Sequence, residues 1–231
     1  MVSLDSSDTP RRGFFGRLLS GLAAATIGGS LSPALAGAAA RPPTANGEWD
    51  DSWTKRLTGT HKQVFDSPEI AEGSALHQAR TFMKHYAEVY GTSDADTNAV
   101  IVVRHEAIPM VLQDAMWERY DLAKETKLKD PTTGKPARRN PFLNAKPDDK
   151  YALVWADGGL DSLLSRGVIV LACNLALMGM TDTVRKKDGG TEDEAKAKLI
   201  GGLVPGVIRM PSGIFAVIRA EEAGCNYIRA G

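Results

Sequence analysis

The run Val168-Ile169-Val170-Leu171-Ala172 constrains this chain more than any other segment. It is short, continuous, apolar and rich in β-branched side chains, which is the pattern of a strand buried on both faces. Strands of that kind belong to parallel sheets with helices packed on each side. Cys173 and Asn174 follow at once, and then a helical pattern. The cysteine therefore falls at the carboxyl end of the strand, where open α/β sheets bind ligands. N–H groups at the start of a helix also favour the thiolate, the reactive form of the side chain. Free cysteines are equally common as small core residues, so position alone leaves both readings open.

The remaining chain repeats the alternation. From Ser67-Pro68-Glu69 the apolar residues Ile70, Ala75, Leu76, Ala79, Phe82, Met83, Tyr86 and Val89 recur at helical spacing, and Gly91 supplies a stop. Asn98–Val103 reads as a second buried strand. It leads into Arg104-His105-Glu106 and a helix from near Pro109 to Lys124. Residues 127–147 form a polar insertion with four prolines and a basic cluster at Lys135–Arg139, which reads as a solvated face on a functional loop or subunit-contact arm. Asp157–Ser165 reads as a helix, Asp182–Gly190 as a loop, and Thr191-Glu192-Asp193-Glu194 as a capping box opening another helix. Gly206–Met210 is a strand candidate, Ile214–Ala223 an apolar helix, and Cys225–Ile228 a closing strand. The expected fold is α/β, with a mostly parallel, doubly wound sheet, helices on both faces and an N-terminal helical extension.

The first residues read as an address. Arg11-Arg12-Gly13-Phe14-Phe15 is a twin-arginine pattern, Leu18–Leu31 is modestly apolar, and Pro33-Ala34-Leu35-Ala36 offers a small-residue cleavage site. The expected organisation is a twin-arginine signal peptide at 1–36, a polar arm at 37–66 and an α/β domain at 67–231. Trp49 and Trp53 are candidates to anchor the arm. Export by this route predicts a periplasmic protein that leaves the membrane after signal cleavage. The full chain carries 28 basic and 28 acidic residues. Residues 1–36 hold three arginines and two aspartates, so the remainder has 25 and 26, a formal charge near −1. That balance gives no reason to expect nucleic acid as a partner.

Two cysteines in an exported chain invite a disulfide. Cys173 ends one strand and Cys225 begins another, so a parallel sheet holds them at opposite edges, roughly 15–20 Å apart. A disulfide needs Cα atoms within about 7 Å. Two free thiols are expected, with Cys225 in the core.

Three segments, in order, resemble the DsrE/DsrF-like superfamily associated with sulfur relay. They are the strand with a His-containing turn, Val100–His105; the turn, strand and cysteine of Arg166–Asn174; and Val204–Ile214 together with Glu221–Ile228, a strand, small-residue turn, helix and closing strand. The resemblance covers roughly residues 97–231. It implies an α/β sheet domain that forms trimers or hexamers and, in some members, carries sulfur as a persulfide on the cysteine matching Cys173. Familiar members are cytoplasmic, and an export signal sets this chain apart as a twin-arginine branch. A sulfur-donor protein or a small sulfur compound is the implied partner.

The candidate site follows from strand ends. Beside a strand ending at Cys173, one ending at His105 brings the imidazole to the same edge, where it can stabilise the thiolate or take its proton. Glu106 could orient that ring. Arg104 could bind an anionic substrate or form a salt bridge, and Asn174 could donate to an oxyanion or cap its helix. The leading expectation is a thiol-dependent sulfur carrier or transfer protein with Cys173 and His105 as reacting groups and Arg104 and Asn174 as substrate contacts. The alternative is a non-catalytic ligand-binding or oligomeric assembly protein on the same fold. No cofactor is expected. Local motifs give no metal site, since His61, His77 and His85 lack i, i+4 spacing and no Cys-x-x-Cys occurs. A metal held in space by Cys173 and His105 is a weaker third reading.

Overall fold

The computed structural model describes residues 49–231. The signal-peptide reading and the first part of the arm lie outside them. Five parallel strands form one sheet in the order β4-β3-β2-β1-β5: β1 His61–Ser67, β2 Thr97–Val103, β3 Ile169–Cys173, β4 Ile208–Met210 and β5 Asn226–Arg229. Successive strands β1 to β4 step one way across the sheet, and β5 then returns to the free side of β1. With right-handed crossovers throughout, that reversal sends the last connection to the opposite face.

The packing follows the topology. One face carries α1 (Ser74–Tyr90), α2 (Asp114–Tyr120), α3 (Ala123–Thr126), α4 (Leu160–Ser165), α5 (Asn174–Met178), α6 (Thr181–Asp188) and α7 (Glu192–Gly201). The other carries α8 (Gly213–Glu222) with a 3-10 turn at Ser52–Arg56. Side chains alternate along the middle strands as a doubly covered sheet requires: Ile101 and Val103 face the first layer, Val100 and Val102 the second. The α/β fold with a parallel sheet and helices on both faces is therefore observed.

Three readings change. The helix taken as an N-terminal extension is the β1–β2 crossover, and residues 61–66, assigned to the arm, belong to β1 inside the sheet. The reason is local. His61-Lys62-Gln63-Val64-Phe65-Asp66-Ser67 has polar residues where a buried strand should be apolar, and these are satisfied by distant partners. Gln63 Nε2 donates to the Asn226 carbonyl at 2.7 Å, and Asp66 accepts from Arg104. α1 then starts at Ser74 rather than Pro68 and ends at Gly91, whose φ of 67° suits a left-handed cap.

The second change is the 182–190 loop, most of which is helical as α6. Val184 is buried, and the Asp188 carboxylate accepts from Arg119, Tyr120 and Lys198. Those three donors hold the Asp188 carboxyl well below the usual carboxylate range. The helix expected from Pro109 to Lys124 is broken: a 3-10 turn spans His105–Val111, and Asp121 adopts φ 50° between α2 and α3. The capping box at Thr191 and Glu194 is present.

The proline-rich insertion packs as part of the domain. Asn140 is fully buried, with Nδ2 donating to the Met110 and Leu112 carbonyls at 2.7 Å each, and Phe142 beside it is fully buried. Arg139 pairs with Asp130 at 2.8 Å, while Lys135 and Arg138 are exposed. Trp53 is completely buried against the α8 face and ties the arm to the sheet. Among the described residues no helix is long and apolar enough to cross a membrane.

Candidate functional site

Strand register builds the site. Val103 on β2 is level with Ala172 on β3 and with Ser67 on β1, so the residues after each emerge together at the carboxyl edge. Cys173 is level with Met210 on β4, after which Pro211-Ser212 lead into α8. The ends of β2, β3 and β4 thus converge. A cavity of about 210 Å³ is lined by Arg104 and His105 from the β2 end, Cys173, Leu175 and Ala176 from the β3 end, and Ser212, Gly213 and Ile214 at the start of α8.

Cys173 is 6% exposed, a wall of the cavity rather than a surface thiol. It is free, as is Cys225, which lies at the other end of the strands and in the opposite core layer. Burial pushes the Cys225 thiol up to about 11, only partly opposed by Lys62. Burial thus disfavours the Cys225 thiolate, the reactive form. His105 shares the cavity with Cys173, but no hydrogen bond joins them. Its backbone sits at φ 46°, a left-handed conformation that costs most non-glycine residues of the order of 1 kcal/mol. The cost is held by the strand on one side and the 3-10 turn on the other.

Arg104 has a fixed partner. Its Nε and Nη2 donate to the two oxygens of Asp66 at 2.7 and 2.9 Å, and the Tyr227 hydroxyl donates to the same carboxylate at 3.0 Å. The Asp66 side chain is only 4% exposed. The Asp66 hydrogen bond raises Arg104 above its ordinary range against the opposing effect of burial, with small additions from the charges of Asp66, Tyr227 and Cys173. Of the two readings for Arg104, the salt bridge is what forms, although the residue still lines the cavity.

Asn174 is not brought to the cavity. Its Oδ1 accepts from Arg209 Nη1 at 2.8 Å, and the Arg209 guanidinium lies 4.3 Å from the Trp49 ring centroid. Arg209 on β4 is level with Ala172, close enough to draw the asparagine sideways. Asn174 is the first residue of α5 and makes no side-chain cap, so neither role read for it is seen.

One glycine shapes the cavity. A Cβ on Gly213 would lie 2.5 Å from Arg104 Cδ and 2.7 Å from Arg104 Cβ. The arginine reaches Asp66 by passing over a residue with no side chain. Gly213→Ala is therefore expected to cost about 1–3 kcal/mol through overpacking, read as a lower urea midpoint at unchanged slope. A variant as stable as the parent would show that α8 can simply move aside.

A second, more open cavity of about 560 Å³ adjoins the first, lined by Pro68, Glu69, Arg104, His105, Glu106 and Arg229. It lies where β1 and β5 meet, the point at which strand order reverses and where doubly wound sheets open a crevice. Sequence reading missed Asp66, Glu69, Tyr227 and Arg229, because β1 was not recognised and nothing local marks β5 as its neighbour. Among the described residues there is no group of three or more His, Cys, Asp or Glu side chains placed to hold a metal ion.

Fold and site together define an α/β protein with a thiol-walled pocket at the carboxyl edge of its sheet. No protein-family model matches the chain, and no curated protein matches it in sequence.

Proposed function

We propose that this is an exported, DsrE-like sulfur carrier in which Cys173 accepts and passes on sulfur as a persulfide. The observation that supports the reading is that Arg104 and His105, Cys173, and Ser212–Ile214, one group from each of the three resembling segments, line one cavity with the cysteine in its wall. In this reading His105 exchanges a proton with the thiol or the leaving sulfur. Arg104, locked on Asp66, places positive charge near the reacting sulfur. Against thiosulfate the step is balanced without an oxidant: the thiolate attacks the sulfane sulfur, the S–S bond to sulfite breaks, and sulfite leaves with the electron pair.

A second reading draws on two observations. Cys173 is 6% exposed, while Leu175 and Ile214 at the mouth of the cavity are each 68% exposed. A buried thiol below an exposed apolar rim suits a non-catalytic assembly protein whose rim is covered by another copy, such as a trimer or hexamer of the resembling family.

Intact mass separates them. The parent chain is expected to gain one sulfur, removable by reductant, on incubation with thiosulfate or a persulfide donor. Cys225→Ser should retain the gain and Cys173→Ser should lose it entirely. No gain in the parent, with Cys173 also resistant to alkylation in the native state, would discard the carrier reading in favour of the assembly one.

A further inference from the structure

We propose that the open cleft beside the Cys173 cavity binds the charged end of a small zwitterionic sulfur compound, an amino-acid or short-peptide thiol or its persulfide. The inference rests on the carrier reading above and names the substrate class of that site. Arg104 and His105 line both cavities, so the two lie side by side against the same pair of residues. The inner part is narrow, bears the thiol and is walled mainly by aliphatic groups. The outer part carries charges of both signs.

Those charges decide what fits. Arg104 and Arg229 bring guanidinium groups to the outer cleft, and Glu69 and Glu106 bring carboxylates. An inorganic dianion meets the two carboxylates unfavourably, and a simple cation meets the two arginines. A molecule with a carboxylate and an ammonium group satisfies both sets at once. The donors are only partly committed. Arg104 uses Nε and Nη2 on Asp66, leaving Nη1 without a hydrogen bond to the described residues. Arg229 is more than half exposed; its Nε donates to the Gly231 carbonyl, and its Nη2 stands 3.5 Å from Glu69. Glu106 is exposed and makes no ion pair with the described residues. Together the cavities fall in the range that holds a small ligand, with the cleft at the β1/β5 reversal where such sheets bind them.

With a persulfide donor R–S–SH the transfer balances. The Cys173 thiolate bonds to the outer sulfur, the donor S–S bond breaks, and the electron pair leaves on R–S⁻. The proton released from Cys173 returns to that thiolate, so Cys173–SH and R–S–SH become Cys173–S–SH and R–SH with no net oxidation.

The test uses S-methylcysteine, which carries both charges and cannot transfer sulfur, titrated calorimetrically into the whole protein. Saturable binding is expected. Arg229→Gln and Glu106→Gln should each weaken binding by about tenfold, the size of one lost charge-assisted hydrogen bond, and the N-acetyl methyl ester of S-methylcysteine, which lacks both charges, by about a hundredfold. Equal binding of the charged and blocked ligands, or no binding of either, overturns the assignment. Thiosulfate loading of Cys173 without S-methylcysteine binding discards the cleft and leaves the carrier reading intact. Binding without loading from any donor supports the cleft and discards the carrier.

Discussion

Asp66→Asn is expected to cost the fold about 3 kcal/mol, the lower part of the range for breaking a buried ion pair from one side. Asp66 is nearly sealed, with its side chain 4% exposed, while Arg104 is 20% exposed. The residual exposure of Arg104 lets water recover some of the lost charge stabilisation, which places the value low in the range. The asparagine keeps the shape but removes the countercharge for two guanidinium donors and alters the acceptor for Tyr227. Urea unfolding at constant slope measures the loss. The decisive comparison is Asp66→Asn combined with Arg104→Met. Removing both charges leaves no uncompensated ion, so the double variant should be more stable than Asp66→Asn alone. A single-variant cost below about 1 kcal/mol would mean that the pair behaves like a surface salt bridge.

Trp53→Ala should be comparably severe, about 3–5 kcal/mol, as for other large-to-small changes of a buried aromatic. The ring is fully buried and fills the α8 layer between Leu57, Val64 and the apolar side of α8. Trp53→Phe should behave very differently. The indole Nε1 is buried with no hydrogen-bond partner among the described residues, and a donor left so carries a desolvation penalty. Phenylalanine removes that donor while leaving a smaller void, and the two effects oppose each other. A cost under about 1.5 kcal/mol is expected. If Trp53→Phe loses as much as Trp53→Ala, the N–H is satisfied in solution and the packing argument must be revised.

What could be read from sequence divides along physical lines. β2 and β3 were legible because both faces of each are covered, and a doubly buried strand announces itself as a continuous apolar run. Cys173, Arg104 and His105 were legible as a group for the same reason, since they sit at the ends of those strands. The capping box at Thr191 was legible because all its parts lie within four residues. β1 was hidden. Its buried Gln63, Asp66 and Ser67 look like a solvated segment until Asn226, Arg104 and Tyr227 are placed around them. α6 was hidden because the three groups that neutralise Asp188 lie in other elements. The contact of Asn174 with Arg209 was not legible because Arg209 is placed by strand register and not by sequence distance.

The anchor of the site joins residues far apart in the chain: Tyr227 and Asp66 are separated by 161 positions, and Ala230 closes onto the Asp66 carbonyl. The thiol is synthesised well before that closure is possible. A nascent or truncated chain ending before residue 226 carries Cys173 and Arg104 but lacks β5, the outer wall of the cleft and one of the three hydrogen bonds to the Asp66 carboxylate. Pairing at such separation is also slow to form. The cleft is thereby tied to the synthesis of β5, and chains that stop short of it hold the cysteine without the wall and the hydrogen bond that β5 supplies.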